Sequence, residues 1–297
     1  MLMVMESFFT KTSTEREVAH LYEHIFTTEL DNLLISQGFL PYLDYIAGGE
    51  SIRGEIELNF RGFSQALNSK IFDILSDLDK SLRFTPERIS AALDQISAEK
   101  REDVAYVNSA IVDKLIAVRR RKWREGVAID IDLSDDTSES EYVRYAENNL
   151  GFYNIPIEVS YKGEDIELGL FLSRIVMELF CKMISNEFSC SFDGASDEID
   201  QKSVSLASLL IKPDKGTIRK EMLEKRAEDL MKTLKKSKNL LKFQRQLKKG
   251  PYIPIGIDGV DGMKVYEVTD WAKFANLLQI KKVLNKIKIR PLEITTE

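Results

Sequence analysis

Histidine and cysteine are scarce in this chain of 297 residues, which contains two of each. The cysteines, Cys181 and Cys190, are too few for a disulfide framework, so a reducing compartment is expected. No apolar run reaches the roughly 20 residues that a membrane-spanning helix needs. Residues 1–9 are apolar but lack the basic flank of a secretory signal. The net charge of −6 gives no general attraction for nucleic acid or an anionic membrane. We therefore expect a cytoplasmic protein that binds neither.

Both histidines belong to one motif, His20-Leu21-Tyr22-Glu23-His24, which reads H-x-x-E-H, the inverted zinc-peptidase signature. On a helix, His20 and His24 lie one turn apart on the same face, with Glu23 at its edge. Neutral imidazoles bind Zn²⁺, and a nearby carboxylate can take a proton from water held there. The motif predicts His20 and His24 as zinc ligands and Glu23 as the general base. The alternative is a chance match. A chance match is disfavoured because both histidines of the chain lie in this one motif.

The residues around the motif favour a helix over about 15–36. Thr14 and Glu17 have capping-box spacing, and neither glycine nor proline follows until Gly38. On a helical wheel the apolar residues form one arc, and the polar ones lie opposite. The apolar arc contains Val18, Leu21, Tyr22, Ile25, Phe26 and Leu33, and the opposite side contains His20, His24, Thr27 and Asp31. We expect the first face to pack and the second to face the metal.

A catalytic zinc site needs a third protein ligand, and a carboxylate is expected because no other histidine exists. A helix predicted over 86–123 carries the acidic candidates Glu87, Asp94, Glu99, Glu102 and Asp103. On its wheel Asp94 points well away from the buried direction, whereas Glu99 lies at the edge of the buried face, in line with Ala92 and Ala110. Glu99 is the preferred ligand and Glu102 the second choice. The competing interpretation is that Glu99 is a solvated helix carboxylate.

The order of the predicted elements suggests two similar halves. The first half has a strand over 1–10, strands over 40–46 and 52–60 around a Gly48-Gly49 turn, and a helix over 63–82. Residues 129–141 are acidic and serine-rich, which is typical of a linker, and they lack the spacing of an EF-hand calcium loop. The second half repeats the order with a strand over 155–161, a helix over 167–184, strands over 188–192 and 203–211, and a helix over 217–247, which suggests a duplication.

The remaining elements are a loop over 249–262, a strand over 264–268 and a helix over 271–287. In the helix of the second half, glycine, leucine and serine occupy the positions that correspond to the motif. We therefore predict a zinc-peptidase lobe at 1–128, an acidic linker at 129–150, and a degenerate second lobe with a C-terminal extension at 151–297.

The segment Val18–Ile25 resembles the metal-binding helix of the pitrilysin/insulinase family of inverzincin peptidases. There an apolar-Ala-His-Leu-x-Glu-His run is followed by a glutamate ligand some seventy-odd residues later, and Glu99 lies 75 positions after His24. The resemblance implies zinc ligands His20, His24 and Glu99, with Glu23 as the base. It also implies an α+β fold of antiparallel sheets with helices packed on one face, in one active and one degenerate lobe. It covers about the first 125 residues, and the chain is far shorter than a typical full-length member.

These features together predict a zinc-dependent metallopeptidase that hydrolyses small or unfolded peptides. The substrate would add as a strand to the edge of the hairpin at 40–60. Family members enclose peptides between paired halves, which implies a homodimer or pairing with a related subunit. The alternative function is a non-catalytic peptide-binding or partner subunit, and a third is an interaction protein without metal. The intact Glu23 favours the enzyme, because a purely structural zinc site needs no base.

Overall fold

Antiparallel sheets and packed helices build each of the two units into which the chain divides, residues 1–150 and 151–297. The chain therefore has the α+β class that the sequence predicts. The structure, a computed structural model, describes residues 5–12, 16–52, 54–106, 110–119, 124–125, 142–145, 151–199, 202–212, 218–249, 271–293 and 295–296. Among the helices in these ranges, none is both long enough and apolar enough to cross a membrane.

The first unit contains one long helix, several shorter ones and six strands in its described part. In chain order these are β1 (Met5–Thr12), α1 (Arg16–Ser36), β2 (Tyr45–Ile52), β3 (Glu55–Gly62), α2 (Gln65–Asn68), α3 (Ile71–Ser81), α4 (Pro86–Lys100), β4 (Asp103–Tyr106), α5 (Ile111–Arg119), β5 (Arg124–Glu125) and β6 (Tyr142–Tyr145). The main sheet has the order β2-β3-β1-β5, so that β2 forms one edge. A separate antiparallel pair joins β4 and β6.

The core of the first unit lies between this sheet and α1. Ile56, Leu58 and Phe60 alternate along β3 and are buried, as a strand with one covered face requires. The apolar side chains of α1 meet them, and Leu21 and Tyr22 are fully buried. The predicted motif helix is thus confirmed. Its proposed cap residue, Thr14, lies outside the described residues.

The turn of the first hairpin differs from the prediction. Gly48 and Gly49 lie inside β2, and the described turn residue between β2 and β3 is Gly54, which has φ +76°. A left-handed conformation favours glycine because it has no Cβ to clash with the backbone. The sequence offers three glycines in this region, and only the backbone conformation shows which one makes the turn.

The prediction of one long helix over 86–123 is wrong. α4 begins after Thr85, whose side chain accepts from the backbone N–H of Arg88, and it ends at Lys100 because Arg101 adopts a left-handed conformation with φ 54°. The chain then forms β4 and, further on, α5. Ala110 and Glu102 are therefore not on the helix that carries Glu99. Residues 107–109 and 120–123 lie outside the described part.

The second unit is built around another long helix. Its described elements are β7 (Tyr153–Lys162), α6 (Ile166–Phe188), β8 (Ser191–Ile199), β9 (Lys202–Ile211), α7 (Lys220–Leu234), α8 (Ser237–Lys249), a 3-10 turn at Trp271–Phe274, α9 (Leu277–Leu284), β10 (Lys288–Pro291) and β11 (Thr295–Thr296). The sheet order is β8-β9-β7-β10, and β11 also pairs with β7. Read from the edge strand, this repeats the order β2-β3-β1-β5, so the two units share one topology.

Two predicted helices of the second unit are interrupted. The segment predicted over 217–247 is divided between α7 and α8, and the one over 271–287 is shortened to the 3-10 turn and α9. The predicted loop at 249–262 and strand at 264–268 lie outside the described residues, apart from Lys249. Within the segment predicted as a linker, Tyr142–Tyr145 form β6, and residues 129–141 are not described. The domain boundaries stay a prediction.

Candidate metal centre

The motif residues project from α1 as the helical period requires. The Nε2 atoms of His20 and His24 are 3.2 Å apart, and the two ring centroids are separated by 4.8 Å. Both side chains are half-buried. The hydroxyl of Thr27 donates to the backbone carbonyl of Glu23 at 2.9 Å, so it is used within the helix rather than at the site. The two imidazoles thus turn the same type of nitrogen toward one point.

Asp31, predicted on the same side of α1 as His24, lies two helical turns beyond it and is not part of the metal group. Its side chain is buried, and Oδ1 accepts a hydrogen bond from the Tyr45 hydroxyl at 2.9 Å. Tyr45 opens β2, so this bond joins the long helix to the edge strand. A single-helix wheel misses it because the wheel does not show which neighbours cover the polar side.

The carboxylate of Glu99 completes the group from the last turn of α4. Its Oε2 atom lies 3.1 Å from Nε2 of His24 and 3.8 Å from Nε2 of His20. One ligand atom from each of the three residues lies within 4.8 Å of the others. Glu102, the second choice, is not part of this group. An ion pair between Arg88 and Glu29, with nitrogen and oxygen 2.6 Å apart, links α4 to α1 and supports this alignment.

The distances within this group suit one zinc ion. Two ligands about 2.05 Å from a tetrahedral zinc are separated by about 3.3 Å. The observed separations of 3.2, 3.1 and 3.8 Å are close to that value. Two imidazole nitrogens and one carboxylate oxygen are also a donor set found in catalytic zinc sites, which leave a fourth position for water. His20, His24 and Glu99 could therefore hold the metal.

Glu23 lies beside this group but is not one of its three members. Its side chain is buried, with Oε2 3.8 Å from Nε2 of His24. The backbone of β2 passes directly against it, because a Cβ atom placed on Gly49 would lie 2.2 Å from Oε1 of Glu23. The sequence prediction placed Gly49 in a turn and therefore missed this approach. The carboxylate is held between the metal group and an edge strand.

The Glu99 carboxylate and the His24 imidazole shift each other's pKa values toward the charged forms. Hydrogen bonds from His20 and His24 hold the pKa of the Glu99 carboxyl well below its usual range, against an opposing effect of burial. Burial by itself would lower the pKa of His24, but hydrogen bonding to Glu99 and the negative charges of Glu23 and Glu99 raise it above its usual value. Without a metal, the carboxylates therefore favour a cation at this point. A bound metal ion would supply this positive charge, and it must displace protons from the ligands to bind.

Two residues of α4 were misjudged from the sequence. Asp94 was predicted to point well away from the buried side, yet it is buried because α1 and β4 both pack against α4. Gln95 was not considered, although it precedes Glu99 by four residues and so lies on the same helix face. Its Oε1 atom is 3.3 Å from Nδ1 of His24. That spacing was the signal in the sequence that could have identified it.

Comparison with known proteins gives little further information. No protein-family model matches the chain, and a search of curated proteins finds no significant match. Solved structures that resemble it include a mutant of the ferredoxin protease FusC in complex with Arabidopsis ferredoxin, at 10% identity and a TM-score of 0.31. Pitrilysin resembles it at 10% identity and a TM-score of 0.30. A peptidase M16 inactive domain from Pseudomonas fluorescens does so at 10% identity and a TM-score of 0.27.

The coverage of these structures differs. In each case the match covers 97% of this chain, which spans 42% of the ferredoxin protease chain, 45% of the pitrilysin chain and 92% of the inactive domain. The neighbours thus include both peptidases and a domain described as inactive.

Proposed function

We propose that this chain is a zinc-dependent metallopeptidase that hydrolyses small or unfolded peptides. The observation that carries the proposal is the convergence of His20, His24 and Glu99 beside the buried carboxylate of Glu23. A structural zinc site normally has four protein ligands and needs no adjacent base. Three ligands with a carboxylate next to them are instead the arrangement of a hydrolytic site.

The chemistry follows from the positions of these side chains. When bound, zinc polarises a carbonyl oxygen and lowers the pKa of water toward neutrality. His20, His24 and Glu99 hold the ion, and Glu23 takes the proton from the attacking water and passes it to the amine that leaves. Because Glu23 is buried against Gly49, its carboxylate is confined beside the group rather than free to turn into solvent.

The edge strand β2 supplies the binding surface that this function needs. β2 pairs with β3, and no other named strand of the described chain pairs with it. A peptide added there as a further strand would be bound through main-chain hydrogen bonds, with little dependence on its sequence. Since Gly49 of β2 touches Glu23, such a peptide would run close to the base. This favours extended, unfolded substrates over folded ones.

Metal content and cleavage together test the proposal. The purified protein is analysed for bound metals, and then assayed with a set of quenched fluorescent peptides that have no stable fold. We expect one zinc per chain, loss of cleavage with a chelator, and recovery when zinc is added back. Cleavage that persists after complete removal of zinc would overturn the zinc mechanism. Stoichiometric zinc without cleavage of any peptide would instead favour the non-catalytic peptide-binding or partner subunit.

The predicted homodimer, or pairing with a related subunit, belongs to the same proposal. Light scattering of the purified protein measures its mass in solution. A mass of two chains supports the homodimer, and a monomer that gains cleavage activity only with a related subunit supports hetero-pairing.

A further inference from the structure

Gln95 links the two helices of the metal centre at a point behind His24. It lies on α4, its side chain is buried, and its Oε1 atom is 3.3 Å from Nδ1 of His24. The same oxygen accepts a hydrogen bond from the Thr28 hydroxyl at 3.4 Å. Thr28 follows His24 by one turn of α1, so both contacts come from the same face of that helix. A carbonyl oxygen has two lone pairs, which these two donors can use.

The two nitrogens of the His24 ring therefore have different partners. Nδ1 faces the amide oxygen of Gln95, whereas Nε2 faces Glu99 at 3.1 Å and His20 at 3.2 Å. An amide oxygen can only accept, so the bond to Gln95 requires a hydrogen on Nδ1. The Glu99 carboxylate also accepts only, so without a metal the ring carries a hydrogen on Nε2 as well, and a metal that displaces this proton leaves the hydrogen on Nδ1 toward Gln95.

We propose that Gln95 is a positioning residue that keeps the hydrogen on Nδ1 of His24 and fixes the ring, so that Nε2 is the nitrogen that exchanges its proton for the metal. The inference rests on the proposed zinc site. α4 supplies both parts of the arrangement, because Gln95 and Glu99 are one helical turn apart and reach opposite nitrogens of the same ring. Gln95 itself neither binds the metal nor touches the reacting atoms.

Two substitutions separate hydrogen bonding from packing. Gln95→Met keeps the length of the side chain but removes the acceptor, and Gln95→Glu keeps an acceptor. Loss of a hydrogen bond of this kind typically weakens metal affinity about 10–100-fold. We expect that loss for Gln95→Met, measured by competition with a chromophoric chelator, and near wild-type affinity for Gln95→Glu. Thr28→Val is the matched control, since it removes the other bond to Gln95 and should change zinc affinity far less than Gln95→Met.

The tautomer can be observed directly, because the chain contains only two histidines. Nitrogen-15 labelling of histidine then gives two imidazole rings, which ¹⁵N–¹H correlation spectra can assign with the help of a His20→Gln variant. In zinc-bound wild-type protein the His24 proton is expected on Nδ1, where the hydrogen bond to Gln95 slows its exchange with water. In zinc-bound Gln95→Met that proton has lost its acceptor and should exchange faster. Thermal unfolding of each zinc-free variant reports whether the fold is retained.

The outcomes separate this inference from the proposed function. Equal exchange rates of the His24 Nδ1 proton in zinc-bound wild-type and Gln95→Met proteins, or wild-type zinc affinity in a folded Gln95→Met variant, would overturn the role of Gln95 and leave the peptidase proposal intact. If the wild-type protein binds no zinc, the proposed function fails, while exchange of the His24 Nδ1 proton in the zinc-free wild-type and Gln95→Met proteins still decides whether Gln95 holds that hydrogen. If Gln95→Met does not fold, the wild-type spectrum alone decides.

Discussion

Gly49 lies directly against Glu23: a Cβ atom at Gly49 would be 2.2 Å from Oε1 and 2.8 Å from Cδ of that carboxylate. No real Cβ atom fits at such a distance, so the absence of a side chain at Gly49 is what lets the edge strand and the carboxylate touch. A Cβ atom placed on the preceding residue, Gly48, would have no neighbouring atom within 4 Å. Two adjacent glycines of β2 thus differ in what they do, and this difference can be tested.

Alanine at Gly49 is expected to displace Glu23 and lower kcat for peptide cleavage about 10-fold or more, since small shifts of a general base reduce its catalytic contribution. Zinc affinity should change little, because the three atoms nearest to a Cβ at Gly49 all belong to Glu23 and none to the three ligands. The measurement is steady-state kinetics alongside a zinc titration. Gly48→Ala is the matched control and should retain activity. Full activity in Gly49→Ala would mean that the position of Glu23 is not held by β2.

Glutamine at Glu23 is expected to abolish most cleavage while zinc remains bound. The amide keeps the size of the side chain but cannot accept the proton of the attacking water, and general bases typically contribute about 10²–10⁴-fold. Metal content after dialysis and the rate of peptide cleavage are measured on the same preparation. If a zinc-loaded Glu23→Gln protein cleaves at the wild-type rate, Glu23 is not the base.

Alanine at Glu99 is expected to reduce bound zinc. The variant loses a charged ligand, which should cost more affinity than the roughly 10–100-fold typical of a lost outer hydrogen bond. Glu102→Ala serves as the comparison, because Glu102 lies beyond the end of α4 and outside the group of three donors. Competition with a chelator gives both affinities. A larger loss in Glu102→Ala than in Glu99→Ala would transfer the ligand role to Glu102.

The two cysteines are expected to react only when the second unit unfolds. Burial raises the pKa of the Cys190 thiol to about 12, and burial likewise raises that of Cys181 well above its usual value. With an ordinary thiol pKa of about 8.5, alkylation at pH 8 should be roughly 10³-fold faster in the unfolded chain, because the thiolate is the reactive form. Iodoacetamide labelling followed by mass spectrometry checks this. Rapid labelling of both thiols in the folded protein would contradict their burial.

The same thiols give stability a pH dependence of known sign. A group whose pKa is raised on folding stabilises the protein fully below its unfolded pKa and loses that effect as the pH rises toward the folded value. The window therefore runs from about pH 8.5 to about 12 for Cys190. Across it the thiols should lower the free energy of unfolding as the pH rises. Double replacement of Cys181 and Cys190 with alanine is expected to flatten this decline in chemical denaturation.

Much of the fold could be read from the sequence because local pattern determines it. The alternation of Ile56, Leu58 and Phe60 predicts a half-covered strand, and the unbroken run after Thr14 predicts the helix that the structure contains at Arg16–Ser36. Element ends were less well predicted. One left-handed residue, Arg101, divides a predicted helix, and Gly54 rather than Gly48 or Gly49 makes the hairpin turn. Several residues can adopt such a conformation, and packing selects one.

What the sequence by itself determined is the pairing of His20 with His24, because a helical period of 3.6 residues places positions four apart on one face whatever surrounds them. Only the tertiary structure decided that Glu99 reaches both imidazoles, that Gln95 faces Nδ1 of His24, and that Gly49 touches Glu23. Those distances depend on how α4 and β2 dock against α1. This docking depends on the whole packed core. Gln95 and Glu99 follow His24 by 71 and 75 positions, so they reach it only when the elements between them are packed in the native arrangement.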